Sequence, residues 1–147
     1  MLAGLGVGCG WLPPDSPAVK PAPPDPDAGL VHDWKITGYI LGPRALLSEA
    51  DAAGFHDRVV AITSKGYNSP WSGSCNDSRR EKRPRALAEV ADDHGVARDR
   101  AASLGLAEPI LEYQLLCVAA RTPALLIDVA GPRALTCWSG VCYLLAR

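Results

Sequence analysis

The tightest constraint in this 147-residue chain lies between Ala134 and Leu145. Two apolar runs flank Ser139-Gly140, with Cys137 before the pair and Cys142 after it. Two turn-forming residues between apolar runs read as a β-hairpin. In that register Trp138 faces Val141 and Cys137 lies directly opposite Cys142. The pair flanking the turn is hydrogen-bonded, so the next pair out is of the non-hydrogen-bonded kind, with Cα atoms ~4.5 Å apart. That separation suits a disulfide. Cys75 and Cys117 are then left for each other, closing a much longer loop. In the chain-entropy account the longer closure contributes about 4 kcal/mol and the hairpin about 2 kcal/mol. The pairs Cys75–Cys117 and Cys137–Cys142 thus predict an oxidising compartment. The competing readings are a zinc site or four buried thiols in a reducing cytosol. Cys-x4-Cys is not the usual Cys-x2-Cys knuckle, and no histidine lies near either cysteine in sequence, so neither metal nor cofactor is expected.

Around that hairpin the patterning is mostly of strands. Trp34 to Ile40 alternates, with Trp34, Ile36 and Ile40 on one face. Arg58 to Thr63 is rich in β-branched residues, Leu111 to Val118 alternates Leu111, Tyr113, Leu115 and Cys117 against Glu112, Gln114 and Leu116, and Leu125 to Val129 is a further short strand. Ser48-Glu49-Ala50-Asp51 opens a helical turn that Gly54 stops. Pro84 suits a first helical position, and apolar residues from Leu87 to Leu104 then recur at three- and four-residue steps, interrupted at Gly95. The expected fold is a β-rich α+β domain. It has a single antiparallel curled sheet or small barrel of about six strands, with one or two short helices at about 85–104.

The chain divides near residue 33. Residues 1–9 are an apolar run ending in Gly8-Cys9, residues 10–33 form a spacer, and residues 34–147 form the disulfide-stapled globular domain. Seven of the fourteen residues from Pro13 to Pro26 are proline, which removes donors and favours extended polyproline II. A run ending in Val7-Gly8-Cys9, followed by such a spacer, resembles the start of a bacterial exported lipoprotein. Gly6 departs from the usual Leu of the lipobox, and no Lys or Arg precedes the run. The resemblance implies lipidation at Cys9, a signal peptide truncated in this chain, and a periplasmic, outer-membrane-anchored location. The arrangement of strands and closing hairpin is also faintly similar to lipocalin-like or META-like exported domains.

Candidate site residues cluster in the middle of the chain. Tyr67, Asn68, Trp71 and Ser72 stand among turn formers ahead of Cys75, and aromatic faces with amide and hydroxyl groups suit a sugar or peptidoglycan fragment. The bland counterpart is a loop pinned by Cys75, with Trp71 covering the core edge. Arg79 and Arg80 begin a basic run to Arg85 that suits an anion, or else a solvated loop. His94 falls on the apolar stripe beside Gly95, which reads as a satisfied ring or a helix end. A nucleophile elbow, a glycine-rich phosphate loop and a His-x-x-x-His pair are all missing, so no catalytic residues are assigned.

A formal charge of −1 provides no global field for nucleic acid, and no stretch approaches the apolar length of a bilayer-spanning helix, so membrane attachment is expected through the lipid anchor only. The expected function is a non-catalytic binding or accessory module of the cell envelope. Its partner would be an envelope glycan or a protein such as a lysozyme-type hydrolase. Two other classes stay open: a small periplasmic hydrolase using serines 69, 72 or 74 with His94, and a cytosolic interaction protein with free thiols docking through Arg79–Arg85.

Overall fold

The computed structural model describes Gly10, residues 27–119 and residues 124–147. Cys9, the segment before it and the proline run lie outside the described residues. Among those described, nine strands form one antiparallel sheet, accompanied by three short helices. In chain order these are β1 (Asp33–Leu41), α1 (Glu49–Ala53), β2 (Val59–Ile62), β3 (Tyr67–Ser69), β4 (Gly73–Cys75), β5 (Ser78–Arg85), α2 (Leu87–Asp93), α3 (Arg98–Ser103), β6 (Ile110–Cys117), β7 (Leu125–Ala130), β8 (Arg133–Trp138) and β9 (Val141–Ala146). The spatial order is β4-β3-β2-β1-β9-β8-β7-β6-β5.

The two outermost strands, β4 and β5, are consecutive in the chain and joined only by Asn76 and Asp77. That short link bends the sheet round until its edges nearly meet. The Cys75–Cys117 disulfide bonds β4 to β6 across the seam. The Ser78 amide donates to the Lys65 carbonyl at 2.8 Å, and the Arg80 guanidinium donates to the Thr63 carbonyl. The result is a nearly closed barrel. Such closure leaves little free strand edge for pairing with another chain.

The six strands expected from alternation all form, and the three additional ones come from 67–85. β5 carries Arg79, Arg80, Lys82, Arg83 and Arg85, a run read from sequence as a solvated loop. It is instead a sheet edge, where charge and proline are tolerated because outward-facing groups meet water. Pro84 accordingly sits in β5 opposite Leu111, and the helix begins three residues later at Leu87. The helical stretch does split at Gly95, which has φ +65° and ends the turn after α2. Ser48 caps α1 by accepting from the Asp51 amide at 3.1 Å.

Inside the barrel pack Trp34, Ile36, Tyr113, Leu115, Ile127 and Tyr143. A bulge between Ile36 and Gly38 reverses the parity of β1. Ile40, expected on the face of Trp34, therefore turns to the outside, and Tyr39 joins the inner cluster. The core also reaches back beyond the expected boundary at 33–34. Leu30 is buried, and its carbonyl accepts the Trp34 indole N–H at 2.9 Å. On the outer face a second cluster packs Val90, Ala91, Ala101 and Leu106 of the helical segment against Ile110, Ala130, Leu135 and Cys142.

Candidate functional site

The outer face is apolar under the helices. Beside them Glu112 of β6 lies directly opposite Asp128 of β7, two carboxylates in a cross-strand pair. Like charges in that position repel unless something bridges them. Arg85, at the end of β5, is the bridge. Its side chain is 3% exposed and forms ion pairs with Glu112 and with Asp93 at the end of α2, with Asp128 4.0 Å away. Arg83 adds a 2.7 Å hydrogen bond from Nε to Glu112. Burial alone would raise the Glu112 carboxyl, but the hydrogen bonds from Arg83 and Arg85 outweigh it and hold the group below the usual carboxylate range. For Arg85, burial works against the charge and the bonds to Glu112 and Asp93 more than restore it.

His94 completes this group. It is the C-cap of α2, and the positive φ of Gly95 ends the helix at that point, leaving the ring over the sheet. Nε2 lies 3.3 Å from an Asp128 carboxylate oxygen, and Nδ1 lies 3.1 Å from Cys137 Sγ. A groove of about 400 Å³ runs past these residues, lined among others by Arg85, His94, Glu112, Asp128 and Cys137. A ring nitrogen of His94 and the sulfurs of Cys137 and Cys142 lie within 4.8 Å of one another, a spacing that two thiolates and an imidazole could offer to a metal. The sulfurs are bonded to each other in the Cys137–Cys142 disulfide, so neither is a thiolate ligand in this state.

At one mouth of the barrel four rings meet. Trp71, in the β3–β4 turn, stacks on Tyr143 with centroids 5.0 Å apart and on Trp138 at 6.0 Å. Phe55 meets all three edge-on. The turn is fixed by Ser69, which bonds to the Ser72 hydroxyl and accepts the Ser72 amide at 3.0 Å. Trp71, Ser72, Trp138, Leu125 and Leu126 line a second hollow of about 270 Å³. Leu126 and Cys137 line both hollows.

The residues singled out from sequence are dispersed. Tyr67 is 3% exposed and belongs to the inner core, while Asn68 is exposed on the other face of β3. Trp71 and Ser72 line the aromatic hollow. Arg79 is exposed and pairs with Glu81, whereas Arg80 turns towards Thr63 and Asp27. Ser69 and Ser72 bond to each other, and the ring of His94 is engaged by Asp128 and Cys137 on different strands. Sequence reasoning reaches Arg85 only as the end of the basic run, and misses Glu112 and Asp128 in the groove and Trp138 in the hollow. The available signal was Asp128, a lone acid in the apolar run Leu125–Ala130.

Comparison of the chain with protein-family models, with curated proteins and with solved structures finds no match. The geometry itself defines a small, disulfide-closed antiparallel barrel. A charged groove on its outer wall shares Leu126 and Cys137 with an aromatic hollow at one rim.

Proposed function

We propose that this protein is an exported, non-catalytic binding module that takes a glycan of the cell envelope in its groove and aromatic hollow. One observation carries the reading: the aromatic hollow at Trp71 and Trp138 shares Leu126 and Cys137 with a groove of carboxylate, amide and guanidinium groups. Sugar rings present apolar C–H faces and hydroxyl edges, which call for ring surfaces beside hydrogen-bonding groups. Glu112 and Gln114 supply the polar side. Export is supported by the two disulfides, which persist in oxidising compartments. Anchoring through Cys9 and projection from the outer membrane by the proline spacer belong to the same reading.

Soluble peptidoglycan fragments titrated into the protein test the ligand. The expected result is a shift of the Trp71 and Trp138 indole N–H resonances that is absent in Trp71→Ala. Unmoved indole signals across the series remove the glycan. Intact mass of protein from native membranes tests the location: a lipid increment at Cys9 and a gain of four hydrogens on reduction are expected. A mass without lipid, in a chain whose cysteines all alkylate before reduction, returns the protein to the cytosol.

A further inference from the structure

We infer that Cys137–Cys142 is a thiol–disulfide exchange site served by His94, whose co-reactant is a dithiol reductant. The exchange site is independent of the glycan reading, and the two disulfides differ in what they hold. Cys75–Cys117 ties strands that share no hydrogen bonds and closes the barrel. Cys137–Cys142 ties residues that the hairpin already holds opposite each other. Six consecutive residue pairs join β8 to β9, from Arg133↔Ala146 to Trp138↔Val141. The turn is formed by Ser139 and Gly140 at φ 52° and 78°, and it is gripped from outside. The Gly42 amide donates to the Gly140 carbonyl at 2.9 Å, and the Leu46 amide to the Ser139 carbonyl at 2.8 Å. The hairpin's register is therefore held by backbone contacts independently of its sulfur bond.

The surroundings of the pair suit exchange chemistry. Cys142 is 6% exposed, whereas Cys137 is half-buried and lines each of the adjoining hollows. A third hollow, of about 450 Å³, has both cysteines, His94, Gly140, Pro43, Arg44, Asp92 and Asp93 in its lining. An incoming sulfur therefore reaches Cys137 first. His94 presents Nδ1 to Cys137 Sγ while Nε2 faces Asp128, the arrangement of a base held in one orientation by a carboxylate.

The first thiol of the dithiol gives its proton to His94 Nδ1, and its sulfur attacks Cys137 Sγ. The Cys137–Cys142 bond breaks, and Cys142 leaves with the electron pair and receives that proton from His94. The second thiol repeats the proton transfer and attacks the co-reactant's own sulfur in the mixed disulfide. Cys137 then departs and takes its proton from His94. The dithiol is oxidised to a disulfide and the hairpin pair is reduced to two thiols, a two-electron exchange that also runs in reverse.

Limited dithiothreitol treatment of the oxidised full-length protein, followed by differential alkylation and peptide mass analysis, tests this. Cys137 and Cys142 are expected to open first, with Cys75–Cys117 intact and the circular dichroism unchanged. His94→Gln is expected to slow that opening at least about tenfold while leaving any opening of Cys75–Cys117 alone. With the fold equally retained in both single mutants, Cys142→Ser should form a mixed disulfide with an aromatic disulfide reagent far faster than Cys137→Ser. Opening of Cys75–Cys117 first, loss of fold on opening the hairpin pair, or an unchanged rate in His94→Gln each overturns the proposal. So does tight retention of one zinc ion per reduced chain that blocks reoxidation, which makes the trio a metal site.

Discussion

Arg85 carries more of the site than any other residue. It is buried, fully charged and bonded to carboxylates from α2 and β6, so the groove wall depends on its position. Removing one partner of such a group leaves a buried charge undercompensated, which costs more than the net value of the pair. Glu112→Gln is therefore expected to lower stability by about 1–3 kcal/mol at neutral pH, read by urea unfolding. The loss should depend on pH in one direction. The folded-state carboxyl titrates below its ordinary 4.5, so between the two values the unfolded chain holds a proton that the folded chain does not. Its contribution is complete above about pH 4.5 and fades as pH falls through the lower folded value. The gap between the two proteins should close in that acid range, and a gap that stays constant would count against the assigned pairing. Little of this was legible beforehand. The charges of Arg85, Glu112 and Asp128 are visible in the sequence, but their convergence requires three strands in one register.

Strands were readable where one face is buried and the other wet. Alternation from Leu111 to Cys117 placed Tyr113 and Leu115 inside correctly, and the Ser139-Gly140 turn fixed the partner of Cys137. Alternation failed at β1, because a bulge inserts a residue that no periodicity shows. It failed again at β5, because edge strands select charge rather than alternating apolar residues. The two disulfides should differ as the elements they join differ. Replacing Cys75 and Cys117 by serine is expected to cost about 4 kcal/mol, and replacing Cys137 and Cys142 about 2 kcal/mol, in denaturant melts. Equal losses would mean that Cys75–Cys117 does not hold the barrel seam. Gly66 tests the seam from its other side. A Cβ there would lie 1.8 Å from the Cys75 carbonyl oxygen, so Gly66→Ala should destabilise the fold by about 1–3 kcal/mol in the same melts.

At the scale of the molecule, the barrel divides its duties between inside and outside. Its interior is filled by side chains such as Trp34, Tyr113 and Tyr143, which leaves the outer wall and one rim as the surfaces with hollows. The Tyr143 hydroxyl is buried with no hydrogen-bond partner among the described residues, and burial raises its pKa, so the phenol stays neutral inside. Among the described residues no helix is long and apolar enough to cross a membrane. The groove faces away from the packed interior, so the glycan proposed for it would bind without entering the barrel. Glycan fragments of increasing length should therefore bind progressively more tightly by isothermal titration calorimetry. An affinity flat with length would confine contact to the aromatic hollow.

Local chemistry settled the strands that alternate, the helix breaks at Gly54 and Gly95 and the cysteine opposition across a two-residue turn, because each depends on residues close together in the chain. Closure did not follow from local pattern. Whether β4 meets β6, whether Arg85 lies between two carboxylates and whether His94 reaches Cys137 depend on residues 42, 27 and 43 positions apart. Only the curvature of the complete sheet brings those pairs within bonding distance.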